Sequence, residues 1–131
     1  MFTTTVKNKI LNAVFNSDSS ALPTSYMIGL STTTPAADGS NISEPDSASG
    51  YTRLAINFSD ADSSKVMNSS TLEFPVFTAD AGVATHYVIF DQDGQPYWFD
   101  LLERSRTLEA ESVLAFPASS VVISLFNESD L

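Results

Sequence analysis

The chain has 131 residues, no cysteine, and 6 Lys+Arg against 16 Asp+Glu, a formal net charge of −10. Its length fits one domain that folds without covalent staples, and the lack of cysteine excludes a disulfide framework and a Cys-based zinc site. The acidity argues against a nucleic-acid partner, which needs clustered Lys and Arg, and against an anionic membrane surface; its plain effect is solubility.

The N-terminus shows no basic segment followed by a 7–15-residue apolar run, and no stretch nears the roughly 20 apolar residues of a membrane span. The chain is therefore expected to be made as a soluble cytoplasmic protein. Residues 3–16 carry the one helical pattern, with Val6, Ile10, Leu11 and Val14 at helical spacing and Phe2 and Phe15 beside them. Asn8, Lys9 and Asn12 take the other side, Lys7 falls inside the apolar stripe, and Thr3–Thr5 offer hydroxyl N-caps. A helix of about 12 residues is marginal alone and must pack on something, either its own domain or a neighbouring subunit. Residues 1–17 read as this helix and 18–131 as a β domain, one domain overall.

After Pro23 the period changes to two. Tyr26–Leu30 alternates with Tyr26, Ile28 and Leu30 inward. Residues 31–50 hold two prolines, two glycines and almost no large apolar side chain. Such a loop is usually functional or mobile, and this one is expected to extend toward a neighbouring chain or a particle surface. Tyr51–Phe58 resumes as a strand with Leu54, Ile56 and Phe58 on one face and Tyr51, Arg53 and Asn57 on the other. A polar turn at Ser59–Ser64 leads to Lys65–Asn68 and Leu72–Phe77, the second limited by Pro75 to an edge or a bulge.

The most regular stretch is Gly82–Gly94, where His86, Val88 and Phe90 fall on one side of an extended chain and Tyr87 and Ile89 on the other. A β-branched and aromatic run that is apolar on nearly every position reads as a strand buried on both faces. Asp93-Gly94 is a strong turn signal, which predicts a central hairpin pairing about 86–90 with about 97–102. Arg104–Leu108 and Ser112–Phe116 flank the acidic turn Glu109-Ala110-Glu111, and Val121–Phe126 closes the series with Val121, Ile123 and Leu125 inward. About eight short strands predict an all-β fold: an antiparallel β-sandwich, jelly-roll- or Ig-like, with one short N-terminal helix; a closed barrel is the alternative.

No catalytic residue is nominated. His86 is the one histidine, no Gly-x-Ser-x-Gly elbow accompanies it, and a structural or interfacial role is expected. No metal site and no cofactor are expected either. The spaced carboxylates at Asp60–Ser64 and Asp91–Gly94 do not continue into a twelve-residue calcium loop, and Asp side chains more often fix such turns by bonding nearby backbone. Tyr97, Trp98 and Phe99 are consecutive, so a regular strand puts Tyr97 and Phe99 on one side and Trp98 on the other. Whichever set faces out would be a surface-recognition patch, as a glycan needs; the alternative buries Trp98 in the core.

In this order the segments resemble small tailed-bacteriophage virion proteins often labelled tail fibre or minor structural proteins. The resemblance rests on a short opening helix, Leu30-Ser31-Thr32-Thr33-Thr34-Pro35 at a strand end, Gly50-Tyr51-Thr52-Arg53 after the long loop, Phe74-Pro75, and Thr85-His86-Tyr87-Val88-Ile89-Phe90-Asp91. Val88 departs from the Gly often found there. The resemblance covers about residues 3–126 and implies a non-enzymatic β-sandwich building block of a virion, repeated by particle symmetry, on capsid, neck or tail. The partners then expected are further copies, as a homotrimer, and other virion proteins, met through Phe2, Val6, Ile10, Leu11 and Val14. The competing reading is a receptor- or glycan-binding module at a fibre or baseplate, with the 31–50 loop and Tyr97–Phe99 as its face.

Overall fold

The change of period at Pro23 becomes a change from helix to antiparallel strand. The computed structural model describes residues 1–18 and 22–125. Helix α1 covers Thr4–Phe15, and eight strands follow: β1 Tyr26–Ser31, β2 Leu54–Ile56, β3 Lys65–Met67, β4 Leu72–Glu73, β5 Val83–Asp91, β6 Pro96–Thr107, β7 Ala115–Phe116 and β8 Val122–Ser124. Four of them form a sheet in the order β2-β1-β5-β6, while β3 pairs with β8 and β4 with β7, all antiparallel. The architecture is sandwich-like and open, without closure into a barrel.

The main core lies between the four-stranded sheet and the two short ribbons. Ile28, Leu30, Tyr87, Ile89 and Trp98 from the sheet meet Leu72, Phe74, Phe77, Leu114 and Val121. The other face of the sheet carries a smaller cluster of Val88, Phe90 and Phe99, covered by Ile42. Strand β5 is thus buried on both sides, as its unbroken apolar run requires. In the hairpin, His86 opposes Leu101, Val88 opposes Phe99 and Ile89 opposes Trp98. Asp91 fixes the turn, its Oδ1 accepting from the Asp93 and Gln95 amides at 2.9 and 2.8 Å, and Gly94 takes a φ of 81°. These are local side-chain-to-backbone bonds of the kind Asp favours in turns.

Four features depart from a simple period-two reading. A bulge shifts the register between Ile89 and Phe90, so Pro96 and Trp98 face consecutive residues of β5 and Tyr97 is the extra one. Tyr97 consequently turns to the same side as Trp98, where it meets Tyr26, and Phe99 alone goes to the opposite face. Next, β6 runs on to Thr107 as one strand, and Ala115–Phe116 pairs with β4 rather than returning along it. Tyr51 precedes β2 and stacks on Phe74 in the main core, leaving Arg53 and Asn57 outside it. At the C-terminal end Val121 and Ile123 pack inward as expected, but Leu125 is exposed; Phe126 lies outside the described residues.

The largest correction concerns residues 31–50. Expected to extend outward, they fold back over the second face of their own sheet. Thr32 N donates to Ser43 O at 2.9 Å, Thr33 Oγ1 to Asn41 O at 2.7 Å, and Asn41 Nδ2 to Thr34 O at 2.8 Å. Glu44 then locks the return. Its carboxylate accepts from Tyr51 Oη at 2.8 Å and from Arg53 Nε and Nη2 at 2.8 and 3.0 Å, and the guanidinium lies 3.7 Å from the Phe90 ring centroid. Gly29 makes room for this cluster, since a Cβ there would sit 2.6 Å from Tyr51 Oη and 2.7 Å from Glu44 Oε1. Apolar content is thus a poor guide to whether a loop is anchored: polar bonds and one isoleucine suffice.

Candidate functional site

The N-terminal segment reaches the sheet before it becomes a helix. Met1–Thr3 lie along the outer edge of β6: the Met1 ammonium donates to Phe99 O at 2.7 Å, Phe99 N to Met1 O at 3.0 Å, and Thr3 N to Tyr97 O at 3.1 Å. Thr3 is the N-cap residue, yet its hydroxyl caps nothing and donates to Pro96 O at 3.1 Å instead. Thr4 N, one of the orphan donors at the helix start, is satisfied by Ala37 O of the folded-back loop at 3.0 Å. The helix is therefore aimed by backbone bonds on both sides of its first turn.

Those bonds set which side chains are used internally. Phe2 meets Trp98 edge-on with centroids 4.8 Å apart, and Val6 is 2% exposed. Ile10 is half-buried and lines an apolar cavity of about 320 Å³ between the helix, Tyr26, Phe58, Val66 and Ile123. Lys9 closes this side, its Nζ donating to Tyr97 Oη at 3.0 Å and standing 5.1 Å from the ring centroid. The bond to Tyr97 raises the Lys9 ammonium above its ordinary value.

The far end of the helix is different. Leu11, Val14 and Phe15 are 54, 67 and 78% exposed, and Leu22 is exposed as well. The single stripe expected from the sequence is two adjacent faces. Val6, Ile10 and Ala13 share one, and Leu11, Val14 and Phe15, spaced i, i+3, i+4, share the next. Of the five residues expected to meet a partner, Phe2, Val6 and Ile10 are engaged by the chain itself, while Leu11 and Val14 stand open. Phe15 is the most exposed of all, and its spacing from Leu11 was the signal that it belongs with them.

The aromatic run is enclosed. Tyr97, Trp98 and Phe99 are 5, 5 and 7% exposed, because the bulge turns two of them into the main core side and the loop with Ile42 covers the third. They do not form a patch on the surface of this chain. Trp98 Nε1 donates to Tyr87 Oη at 3.1 Å, and burial pushes the Tyr87 phenol up to about 12.

His86 is buried between β1 and β6, with Nδ1 2.8 Å from Thr85 Oγ1. Burial pulls its imidazole below the ordinary value against the opposing pull of Asp100, so the ring is neutral at neutral pH. Its hydrogen-bond partner is a threonine hydroxyl on the adjacent residue, an arrangement that fills a core position. Among the described residues no three His, Asp or Glu side chains converge as a metal ion would need, and no helix is long and apolar enough to cross a membrane.

The chain is thus a helix pinned to an antiparallel sandwich, with an open apolar end and its one histidine buried. The family model for Podophage GP4 fiber I protein gp80 matches residues 1–124. The chain belongs to this family, and the resemblance to bacteriophage fibre and structural proteins is thereby established. No curated protein gives a match.

Proposed function

We propose that the chain is a non-enzymatic structural component of a bacteriophage fibre, present in the virion in several copies and attached through the outer end of α1. Membership of the fibre family supports the class of role. The observation that carries the mode of attachment is the group Leu11, Val14 and Phe15, left exposed by a helix that is otherwise fixed to its own sheet. Contiguous exposed apolar side chains on a soluble domain mark interaction surfaces. Burying a Leu or Phe side chain contributes roughly 1.5–3 kcal/mol, so a few of them hold a rigid helix end against another protein. Copies related by a rotation axis can bring these ends together, and the arrangement we favour is a homotrimer whose helices then meet a capsid, neck or tail protein.

The test is the triple variant Leu11→Asp, Val14→Asp, Phe15→Asp. It is expected to fold as the parent does, to sediment as a monomer, and to be missing from particles assembled in its presence. A triple variant that forms the parent's oligomer and enters particles normally would overturn this reading.

A further inference from the structure

Strand β6 is the longest in the molecule and lies at an edge of its sheet. Met1–Thr3 cover its outer side at Tyr97–Phe99; among the described residues no other strand bonds that side from Asp100 to Arg106, where Leu101 N donates to Asp100 Oδ1 at 2.8 Å. On the inner side the pairing also lapses. His86 opposes Leu101 and Ala84 opposes Arg106, so two steps along β5 face five along β6, and 102–105 arch away unpaired. Unpaired strand edges are templates for another strand.

The arch forms one wall of a cavity of about 420 Å³, with Leu114–Pro117 opposite and Tyr87 at its side. Arg104 and Arg106 both line it, and Glu103 is the one carboxylate that does. These are two of only 6 Lys+Arg in a chain of net charge −10. The ion pair found among the described residues is Arg53 with Glu44, so no carboxylate among them pairs with either arch guanidinium. Two cations placed i, i+2 on a strand in an acidic protein complement carboxylates spaced two apart on a neighbouring strand.

We infer that the outer edge of β6 from Asp100 to Thr107 docks an extended acidic segment of a partner protein, which adds as a strand while its carboxylates pair with Arg104 and Arg106. Main-chain bonds supply the register, the guanidiniums select for acidic side chains, and the exposed Leu101 offers apolar contact beside them. The site is separate from the outer end of α1 and does not depend on it.

The full chain would be titrated into a fluorescent blocked peptide of alternating valine and glutamate at low salt, reading anisotropy. Saturable binding is expected. The double variant Arg104→Ser, Arg106→Ser should weaken it about tenfold or more, as loss of charge-assisted pairs does, and a double lysine variant should restore part of it. Methylating alternate peptide nitrogens should abolish binding, because strand addition needs the N–H groups. The proposal fails if the peptide does not bind, if the serine variant binds it equally, or if the N-methylated or a valine–lysine peptide binds as well. It also fails if an oligogalacturonate binds where the peptide does not, which would make the site one for acidic sugar. Loss of self-association in the serine variant with peptide binding unchanged would likewise overturn it, in favour of pairing between copies. The peptide arms use the unaltered chain, so they decide the matter even where a variant folds poorly.

Discussion

The 31–50 loop and helix α1 make an instructive pair. The loop has almost no large apolar side chain and is nevertheless fastened to its own sheet, by Ile42 over Val88, Phe90 and Phe99 and by the Glu44 clamp on Tyr51 and Arg53. The helix is rich in apolar residues and leaves three of them, Leu11, Val14 and Phe15, in solvent. Hydrophobic content therefore did not decide which segment the fold keeps. Geometry did: the loop has a sheet face beneath it and a carboxylate at the right place, whereas the helix can turn only one of its two apolar faces inward. What remains unsatisfied after folding, rather than what is apolar, points to the surface offered to others.

The sharpest way to break that comparison is at the buried end of the helix. Val6→Asp puts a carboxylate at a position 2% exposed, where Lys9, which lines the same cavity, is already bonded to Tyr97 Oη. A loss of more than about 3 kcal/mol is expected, a large part of the stability of a domain this size. Urea unfolding would show the midpoint falling steeply; an unchanged midpoint would mean the helix is not docked as described. On the loop, Glu44→Ala takes the acceptor from the Tyr51 hydroxyl, whose oxygen still accepts from Leu30 N at 3.0 Å, and the carboxylate from the Arg53 guanidinium. Because the ion pair is partly exposed, the expected cost is nearer about 1–2 kcal/mol, with faster proteolysis inside 31–50 while the sandwich stays folded. A loop cleaved no faster than the parent's would show that the clamp does not hold it.

A smaller effect links the loop's root to pH. Ser31, where the loop begins, pairs with His86, whose imidazole is held below its ordinary value chiefly by burial. With the folded value below the unfolded one of about 6.5, the two states bind protons equally above that pH. As pH falls through about 6.5 the unfolded chain protonates first, so stability contributed by neutral His86 is lost on acidification. Between about pH 7 and pH 5.5 the parent should lose more unfolding free energy than His86→Gln, the other titrating groups being common to both. Equal losses would show that His86 is not held neutral by the fold.

Much of this architecture was legible in the residues. Alternation in 83–91 and the Asp-Gly turn placed the central hairpin and both faces of β5, and the change of period at Pro23 separated helix from strands. The bulge at Tyr97 was not legible, since one extra residue in β6 leaves no mark in a run of three aromatics; it depends on how the turn at 92–95 meets the sheet. The Glu44 clamp joins residues nine apart with no periodic relation, and only the close approach permitted by Gly29 brings them together. On the helix, spacing revealed apolar residues but could not say which of two adjacent faces the sheet would take, because the backbone bonds of Met1–Thr3 to β6 make that choice.

The smallest expected effect sharpens the comparison most. Leu11, Val14 and Phe15 share one helix with Val6, so the comparison stays within one element. If solvent already surrounds the outer three, single changes such as Phe15→Ser or Leu11→Gln should move the free energy of unfolding by no more than about 0.5 kcal/mol, the usual range for surface sites. The contrast with Val6→Asp would then come chiefly from burial of the altered side chain and of the charge it carries. These variants should also lower any retention on a hydrophobic column, because they remove exposed apolar area while the fold is kept. A loss above about 1 kcal/mol from Phe15→Ser would mean that its ring is covered within the same chain, which would remove the outer end of α1 as the attachment surface.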